Sequence, residues 1–185
     1  MIDAVLFLAG MLIKLLIYLV LARVLLQLCK ADRYNPLAQG IVQFTDTFLA
    51  PLRRFLPKSV RWDIAGVVVL VLLGMLSTVV GRQFGLLALL SPQVWLISLI
   101  LLFDMIIDAY LAFIFLTIVA SFVAQGSYHP ALVLLRQLTA PLLDPVQRRV
   151  PPIGGLDFSP MIVIVALVMV QRFLLPALIE VVARL

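Results

Sequence analysis

Charged residues are scarce in this sequence. They make up 12% of its 185 residues, whereas 64% are hydrophobic and the mean hydropathy is +1.21. A soluble domain averages about 45–50% apolar and ~25% charged residues. This shortage excludes a water-soluble globular domain, because the chain has too little polar surface to cover an apolar core. We therefore predict that lipid surrounds much of the protein.

Reactive side chains are equally rare. Cys29 is the only cysteine, which excludes an intrachain disulfide, and His129 is the only histidine. A Gly-rich phosphate loop and the HExxH, GxSxG and CxxC motifs are all missing from the sequence. We therefore expect no metal, no cofactor and no enzymatic activity. The net charge of +5 does not indicate nucleic-acid binding, since the basic residues flank apolar segments.

Four apolar segments are long enough to cross a membrane, which takes about 20 residues. They cover residues 3–29, 64–80, 91–124 and 159–183. The Ser-Pro pairs that open the last two segments are typical of an N-cap followed by proline at the first helical position. Asp63 can cap the second helix as Ser159 caps the fourth, and Gly126 is placed to end the third.

Basic residues are distributed unequally between the connecting segments. Residues 30–63 contain six Lys and Arg, residues 125–157 contain three, and residues 81–90 contain Arg82 alone. Cytoplasmic loops carry the excess of Lys and Arg in membrane proteins. This asymmetry predicts that both long segments are cytoplasmic and that both termini lie outside, in a bacterial inner membrane.

The two long segments resemble each other. YNPLAQGIVQFTDTFLAPLRRFLP begins at Tyr34, and YHPALVLLRQLTAPLLDPVQRRVP begins 94 residues later at Tyr128. Nine positions between Tyr34 and Asp63 are identical at this offset without a gap. The chain is therefore predicted to be two repeats, residues 1–90 and 91–185, each built as span, cytoplasmic helix and span. An even number of spans in each repeat gives both the same orientation, related by a pseudo-two-fold axis along the membrane normal.

Each cytoplasmic segment carries an apolar stripe at helical spacing followed by a basic cluster. The stripes consist of Leu37, Ile41, Phe44, Phe48 and Leu52 in the first copy and Leu135, Leu138, Leu142 and Val146 in the second. The basic clusters are Arg53, Arg54 and Lys58, and Arg148 and Arg149. Such a helix can lie in the plane of anionic headgroups. Alternatively, the stripes cover the ends of the spans as ordinary core, or bind a soluble partner.

Prolines stand at the start and near the end of both predicted cytoplasmic helices. Asn35 and His129 each precede a proline and are predicted to start them. Pro51 and Pro145 are predicted to break or kink both helices at the same point.

Several charges fall inside the spans. At the 94-residue offset Lys14 corresponds to Asp108, so the pseudo-two-fold predicts these opposite charges at one depth. Asp104 lies one helical turn before Asp108, Arg172 is its predicted partner, and Gln171 is placed to add a hydrogen bond. An isolated charge at mid-membrane costs about 2.5–3.5 kcal/mol on insertion scales, so pairing is expected.

These charges leave three roles open. They can assemble the helices, form an ion or proton path, or act as a catalytic carboxylate dyad. Arg23, nearer the cytoplasmic end of the first span, is expected to extend its side chain to the interface.

The paired segments NPL…TDTFLAPLRRFLP and HPALVLLRQLTAPLLDPVQRRVPPIGGLDFSP resemble the YggT family of small bacterial membrane proteins. PPIGGLDFSP is the most specific part of the resemblance; the first copy instead reads PKSVRWDIAG, without the Gly-Gly and Ser-Pro pairs. Similar proteins in bacteria and chloroplasts are linked to osmotic tolerance, cell division and cytochrome cofactor assembly. The resemblance implies a structural or assembly role and supplies no catalytic residues.

We therefore expect an all-α membrane protein with four transmembrane helices in two parallel repeats. Its expected function is that of a non-enzymatic scaffold or assembly factor that binds anionic lipid headgroups and other membrane or membrane-associated proteins. The alternative is an ion or solute channel, or a channel regulator, acting as a homo-oligomer.

Overall fold

The computed structural model describes residues 2–54, 63–81, 90–123, 129–150 and 157–184, and these residues contain helices and no strand. The helices are α1 (Ile2–Leu28), α2 (Pro36–Leu49), α3 (Ile64–Gly81), α4 (Pro92–Val123), α5 (Pro130–Gln147), α6 (Ser159–Met169) and α7 (Leu175–Ala183). A 3₁₀ turn (Leu52–Arg54) follows α2, and a π-helical segment (Val170–Leu174) joins α6 to α7. Lys58, Gly126 and residues 151–156 lie outside the described residues.

Four helices are long and apolar enough to cross a membrane, as the sequence predicts. They are Ala4–Leu28, Ile64–Gly81, Pro92–Ser121 and the continuous stretch Ser159–Ala183. The observed ends lie close to the predicted ones, because each apolar segment is bounded by polar residues or by proline.

The core joins both halves of the chain. α3 packs between α1 and α4, and α4 in turn contacts α6 and α7. One buried cluster combines side chains from α1, α3, α4 and α5, including Ile17, Leu70, Leu102 and Leu138. A second, smaller cluster consists of Ile114, Leu143 and Val163.

α2 and α5 lie together at one end of the bundle. The Asn35 amide nitrogen donates to the Pro130 carbonyl oxygen at 2.7 Å. The Gln137 side-chain oxygen accepts from the Asp32 backbone N–H at 3.0 Å. The chain therefore leaves α1 and α4 at the same end of the bundle, which we call the α2/α5 end.

Both helices at this end begin as predicted. The Asn35 side-chain oxygen accepts from the Leu37 N–H at 3.0 Å, and the His129 Nδ1 accepts from the Ala131 N–H at 3.2 Å. Each caps a helix whose first residue is proline. His129 thus acts as a helix cap, and its Nδ1 is occupied by that hydrogen bond.

The start of α6 corrects one prediction. Ser159 is already the first helical residue, and its side chain does not cap the helix. Asp157 takes this role, since its Oδ1 accepts from the Ser159 N–H at 2.9 Å. α4 begins at Pro92 directly after Ser91, as predicted, and Asp63 Oδ1 accepts from the Gly66 N–H at 3.2 Å at the start of α3.

α2 breaks before Pro51 as predicted, whereas Pro145 does not break α5. α2 ends at Leu49, just before Pro51, whereas α5 continues through Pro141 and Pro145 to Gln147. Both prolines of α5 are exposed. The hydrogen bonds they remove therefore lie on the outer side of the helix, while buried Leu138 and Leu143 hold its inner side.

The last span contains a wide turn that the sequence pattern does not predict. Within Val170–Leu174 the backbone is π-helical, and the Leu175 N–H bonds to the Val170 oxygen, five residues back. Pro176 follows immediately; it lacks an N–H and its ring crowds the carbonyl four residues earlier, at Arg172. A π turn relieves this conflict by inserting one extra residue.

Candidate functional site

A buried arginine organises the α2/α5 end. Arg23 lies in the last turns of α1 and is 5% exposed. Its Nε bonds to Asp63 Oδ2 at 2.8 Å, and one terminal nitrogen bonds to Asp46 Oδ1 at 2.7 Å. The other terminal nitrogen donates to the Thr45 hydroxyl at 2.7 Å and to the Val42 carbonyl at 2.8 Å. One side chain thus connects α1 to α2 and to the start of α3.

Arg53 closes the arrangement from the 3₁₀ turn. It bonds to Asp46 and to Asp63, each at 2.9 Å. The set Arg23, Asp46, Arg53 and Asp63, which we call the charge cluster, therefore contains two positive and two negative side chains. The Asp63 and Arg23 side chains are buried, at 4% and 6% exposure, whereas those of Asp46 and Arg53 are partly exposed.

The charge cluster keeps Asp63 ionised. Burial alone would raise the pKa of this carboxyl group, but hydrogen bonds from Arg23 and Gly66 and the charge of Arg53 outweigh burial and lower it. The Thr45 hydroxyl is oriented to accept the hydrogen bond from Arg23. It donates its own hydrogen to the Ile41 carbonyl oxygen at 2.6 Å, which leaves a lone pair for the arginine.

The position of Arg23 is a correction. The sequence predicts that its side chain reaches the interface, but the structure buries it. The reason is that Asp46 and Asp63 approach from two other elements and replace water as partners. A signal for this was present in the sequence: Asp63 stands directly before one span and Arg23 near the cytoplasmic end of another, which places opposite charges at one end of the bundle.

The positions 94 residues further along the chain carry fewer charges. At the 94-residue offset, Thr117, Ala140 and Gln147 stand where the first half has Arg23, Asp46 and Arg53, and only Asp157 keeps its carboxylate. Gln147 donates to Asp157 at 2.7 Å, and Thr117 bonds within its own helix to the Phe113 oxygen. Burial opposes ionisation of Asp157, but hydrogen bonds from Ser159 and Gln147 lower its pKa. The first half therefore has a buried ion-pair cluster at these positions, and the second has a hydrogen bond between Gln147 and Asp157.

The predicted intramembrane charges are only partly brought together. Asp108 on α4 accepts a hydrogen bond from the Gln171 side chain at 2.7 Å, which confirms that Gln171 contributes one. Among the described residues, Lys14 and Arg172 have no carboxylate oxygen within 4.0 Å. The predicted ion pairs of Lys14 with Asp108 and of Arg172 with Asp104 are thus not formed within the chain.

These charges face outwards from the bundle. Lys14, Asp108 and Arg172 are exposed, and Asp104 is half-buried. Tyr18, one turn after Lys14, lies within electrostatic range of Asp104 and Asp108, so α1 and α4 present their polar groups on neighbouring surfaces. We call the outward set Lys14, Asp104, Asp108 and Arg172 the mid-span face.

The predicted apolar stripe remains outward on α2. Leu37, Phe44 and Phe48 are 47%, 54% and 47% exposed, while Ile41 and Leu52 are half-buried. The Phe44 and Phe48 rings lie 5.8 Å apart, centroid to centroid. We call Leu37, Phe44 and Phe48 the α2 outer face.

The corresponding stripe on α5 is turned into the protein. Leu138 is 4% exposed and packs into the main core, which corresponds to the alternative of a stripe that forms ordinary core rather than a headgroup-facing surface. Leu142 and Val146 are half-buried against the smaller cluster, and Leu135 is half-buried as well. The physical reason is that α5 packs on both α4 and α6, which leaves less of its surface free.

Basic residues lie at the ends of both helices. Arg54, Arg148 and Arg149 are exposed. Arg148 and Arg149 line an open groove of about 400 Å³ at the end of α5, together with Asp144. Within the described part of the chain, no group of three or more His, Cys, Asp or Glu side chains is placed to hold a metal ion.

Four apolar helices of membrane-spanning length, a charge cluster at one end and polar side chains at mid-span define a polytopic helical membrane protein. The family model described as CCB3/YggT matches the chain twice, at residues 2–84 and 96–178. The chain therefore belongs to the CCB3/YggT family. Its two matches are offset by the same 94 residues that separate the paired sequence segments.

Relatives in three bacteria support this assignment. The chain is 35% identical over 167 residues to YggT of Escherichia coli, covering 89% of this chain and 86% of that protein. An uncharacterized protein of Pseudomonas aeruginosa is 33% identical over 167 residues, covering 88% and 83%. One of Haemophilus influenzae is 31% identical over 170 residues, covering 91% and 90%. The names of these relatives state no enzymatic activity, and no solved structure matches the chain.

Proposed function

We propose that the protein is a non-enzymatic scaffold of the bacterial inner membrane whose α2 outer face lies in the cytoplasmic headgroup layer. Two family matches at a fixed offset support two parallel repeats, residues 1–90 and 91–185. The excess of Lys and Arg in the segments that contain α2 and α5 supports a cytoplasmic α2/α5 end and outside termini. Following the family resemblance, we assign the scaffold to envelope organisation or osmotic tolerance.

The main support for this proposal is that α2 is anchored to the protein on one side and exposed on the other. Its inner side is held by Arg23 through Thr45 and Asp46, and Leu49 is fully buried beneath it. Its outer side nevertheless exposes Phe44 and Phe48. A helix held this rigidly with two aromatic rings outward is suited to insert them at the boundary of headgroups and acyl chains.

Charge at the end of α2 agrees with the same contact. Arg53 is partly exposed although it binds two carboxylates, and Arg54 beside it is exposed. Basic residues near an anionic membrane surface contribute about 1 kcal/mol each. Arg148 and Arg149 at the end of α5 extend the basic surface to the second half.

Depth-dependent quenching tests this placement. In a Cys29→Ser background, Phe44→Cys is labelled with an environment-sensitive dye and the protein is reconstituted into vesicles that contain anionic lipid. We expect blue-shifted emission and strong quenching by lipids that carry a quencher high in the acyl chain. Gln43→Cys is the matched control, since Gln43 is exposed on the polar side of α2 and should stay in water.

Equal quenching at Phe44 and Gln43 would contradict the lipid contact. A blue shift at Phe44 that persists in detergent without lipid would instead indicate a protein partner on the α2 outer face.

A channel is the second candidate, favoured by the outward charges at mid-span. Lys14 and Asp108 lie in apolar helices without an ion pair between them, and polar residues at this depth mark ion paths in many membrane proteins. Reconstitution into liposomes separates the candidates. Ion flux above that of empty liposomes, abolished by Asp108→Asn, would replace the scaffold by a channel.

A further inference from the structure

Three charges of the mid-span face, those of Lys14, Asp108 and Arg172, lie at about one depth. Lys14 lies about four helical turns before the end of α1 at Leu28, and Asp108 lies a similar distance before the end of the α4 span at Ser121. Arg172 lies a similar distance beyond the start of α6 at Ser159. With a rise of about 1.5 Å per residue, all three are roughly 20 Å from the α2/α5 end. The hydrogen bond from Gln171 to Asp108 shows directly that the two helices are level there.

These charges are balanced but not paired within the chain. Lys14 and Arg172 contribute two positive charges, and Asp104 and Asp108 two negative ones. The exposed apolar residues around them need no partner, because lipid solvates them as well as protein would. Exposed charges differ, since lipid offers them neither a hydrogen bond nor an opposite charge.

A small residue beside Lys14 leaves room for another helix. Gly10 lies one turn before Lys14 on α1, and a Cβ added there would have no described atom within 4 Å apart from its own stretch of helix. Small residues at such positions allow helices in membranes to approach closely. The space beside Lys14 is thus open towards the outside of the protein.

We infer that a second copy of this chain covers the mid-span face, so that Lys14 of each copy binds Asp108 of the other. Two copies inserted in the same orientation are related by a two-fold axis along the membrane normal. Such an axis places equal depths opposite each other and repeats each contact twice. Because Lys14 and Asp108 are level, opposite in charge and outward, this symmetry pairs both lysines at once. The inference is independent of the lipid contact proposed for α2.

The experiment pairs two like-charged variants. Lys14→Asp carries only carboxylates at this pair of positions, and Asp108→Lys carries only amines. Each is produced with two different affinity tags, and co-purification of one tag with the other is measured in mild detergent. We expect each variant to bind itself at least about tenfold less than the original chain does, and the two variants to bind each other at nearly the original level.

This design distinguishes pairing between copies from pairing within one. If Lys14 bound Asp108 of its own chain, each variant would contain a like-charged pair whatever its partner, and mixing would restore nothing. Glu180→Arg is the control, because it changes an exposed charge near the end of α7, away from the mid-span face. It should leave co-purification unchanged.

A second variant covers the case in which the charge changes prevent insertion. Gly10→Leu should fold, since a Cβ at this position has open space around it among the described residues, yet it should reduce co-purification by steric conflict with the second copy. Gly40→Leu is its match, because Gly40 on α2 has equally open surroundings.

Self-association of Gly10→Leu at the original level would overturn the inference. So would a mixture of the two charge variants that co-purifies no better than either variant with itself.

Discussion

A single buried side chain holds the α2/α5 end together. Arg23 donates hydrogen bonds to two carboxylates, a hydroxyl and a backbone carbonyl, and it draws these partners from α2 and from the start of α3. An arginine buried in this way is costly unless each donor is satisfied, so the value of each partner depends on the others. The charge cluster is therefore expected to respond as a unit.

Substitution of Asp63, the most buried carboxylate of the charge cluster, by Asn tests whether the cluster responds as a unit. Removing one partner of a buried ion pair costs about 3–5 kcal/mol, and we expect the lower end because Arg23 retains Asp46. The measurement is the thermal unfolding midpoint in detergent micelles. Asp157→Asn is the matched control; its side chain is exposed and without an arginine partner among the described residues, so a loss below about 1 kcal/mol is expected. Equal losses would contradict the role of the charge cluster.

The stability lost in Asp63→Asn should depend on pH. The pKa of Asp63 is lowered in the folded protein, so the stability it contributes is present above the unfolded value of about 3.9 and is lost as the pH falls through the folded value. The difference between the original chain and Asp63→Asn should stay constant from pH 8 to pH 5. It should shrink only in more acidic solution.

At the level of residues, sequence reasoning succeeded where a local rule decides. Asn35 and His129 cap helices because each precedes a proline and offers an acceptor to the first turn. It failed for Arg23, whose partners lie 19 to 40 residues away in sequence and depend on packing. It also did not anticipate that Asp157, rather than Ser159, would accept the first N–H of α6.

At the level of elements, α1 and α3 approach closely beside the charge cluster. A Cβ on Gly66 would lie 2.7 Å from the Val24 side chain and 3.2 Å from the Asp63 carboxyl carbon. Both neighbours are buried, and Asp63 is fixed by its ion pairs. Glycine at this position thus allows α3 to start directly against α1.

Gly66→Ala should therefore destabilise the protein although alanine favours helices. Overpacking a tight contact costs about 1–3 kcal/mol, against a gain of about 1 kcal/mol from helix propensity. Gly40→Ala should show the gain alone, since nothing surrounds that position. Unfolding midpoints that move in the same direction for both variants would show that the contact at Gly66 yields without cost.

The two helices α2 and α5 show why element type is easier to predict than burial. Both apolar stripes have helical spacing, and both segments are helical. The stripe itself does not say which side another helix covers, and so Leu138 in one stripe is buried while Phe44 in the other is exposed. At Pro145 the low helix propensity of proline does not end α5, because the inner side of the helix is packed against the protein.

At the level of the whole molecule, the number of spans follows from hydrophobicity because lipid demands long apolar helices. The arrangement of α4 between the two halves does not follow, since lipid-facing and helix-facing residues are equally apolar. The pairing of charges also could not be read from depth alone, because equal depth does not decide whether Lys14 meets an Asp108 of its own chain.

Orientation in the membrane is a prediction at this scale. In a Cys29→Ser background, which leaves each variant with a single thiol, cysteines at Gln93 and Gln43 are exposed probes at opposite ends of the bundle. The Lys and Arg excess predicts that a membrane-impermeant maleimide labels Gln93→Cys on intact cells, and labels Gln43→Cys only after permeabilisation. The reverse pattern would place the α2/α5 end outside.

The π-helical segment also sets the phase of the last span. Val163 and Leu175 are both buried and lie on either side of this segment. In an uninterrupted α-helix, at about 100° per residue, their side chains would point about 120° apart. The extra residue subtracts one step and brings them within about 20°, so α6 and α7 can both face α4. If this segment became regular α-helix without losing a residue, everything beyond it would rotate by that step, turning Leu175 and Val182 away from α4, whereas deletion of one residue from Val170–Leu174 would remove the extra residue and keep the phase.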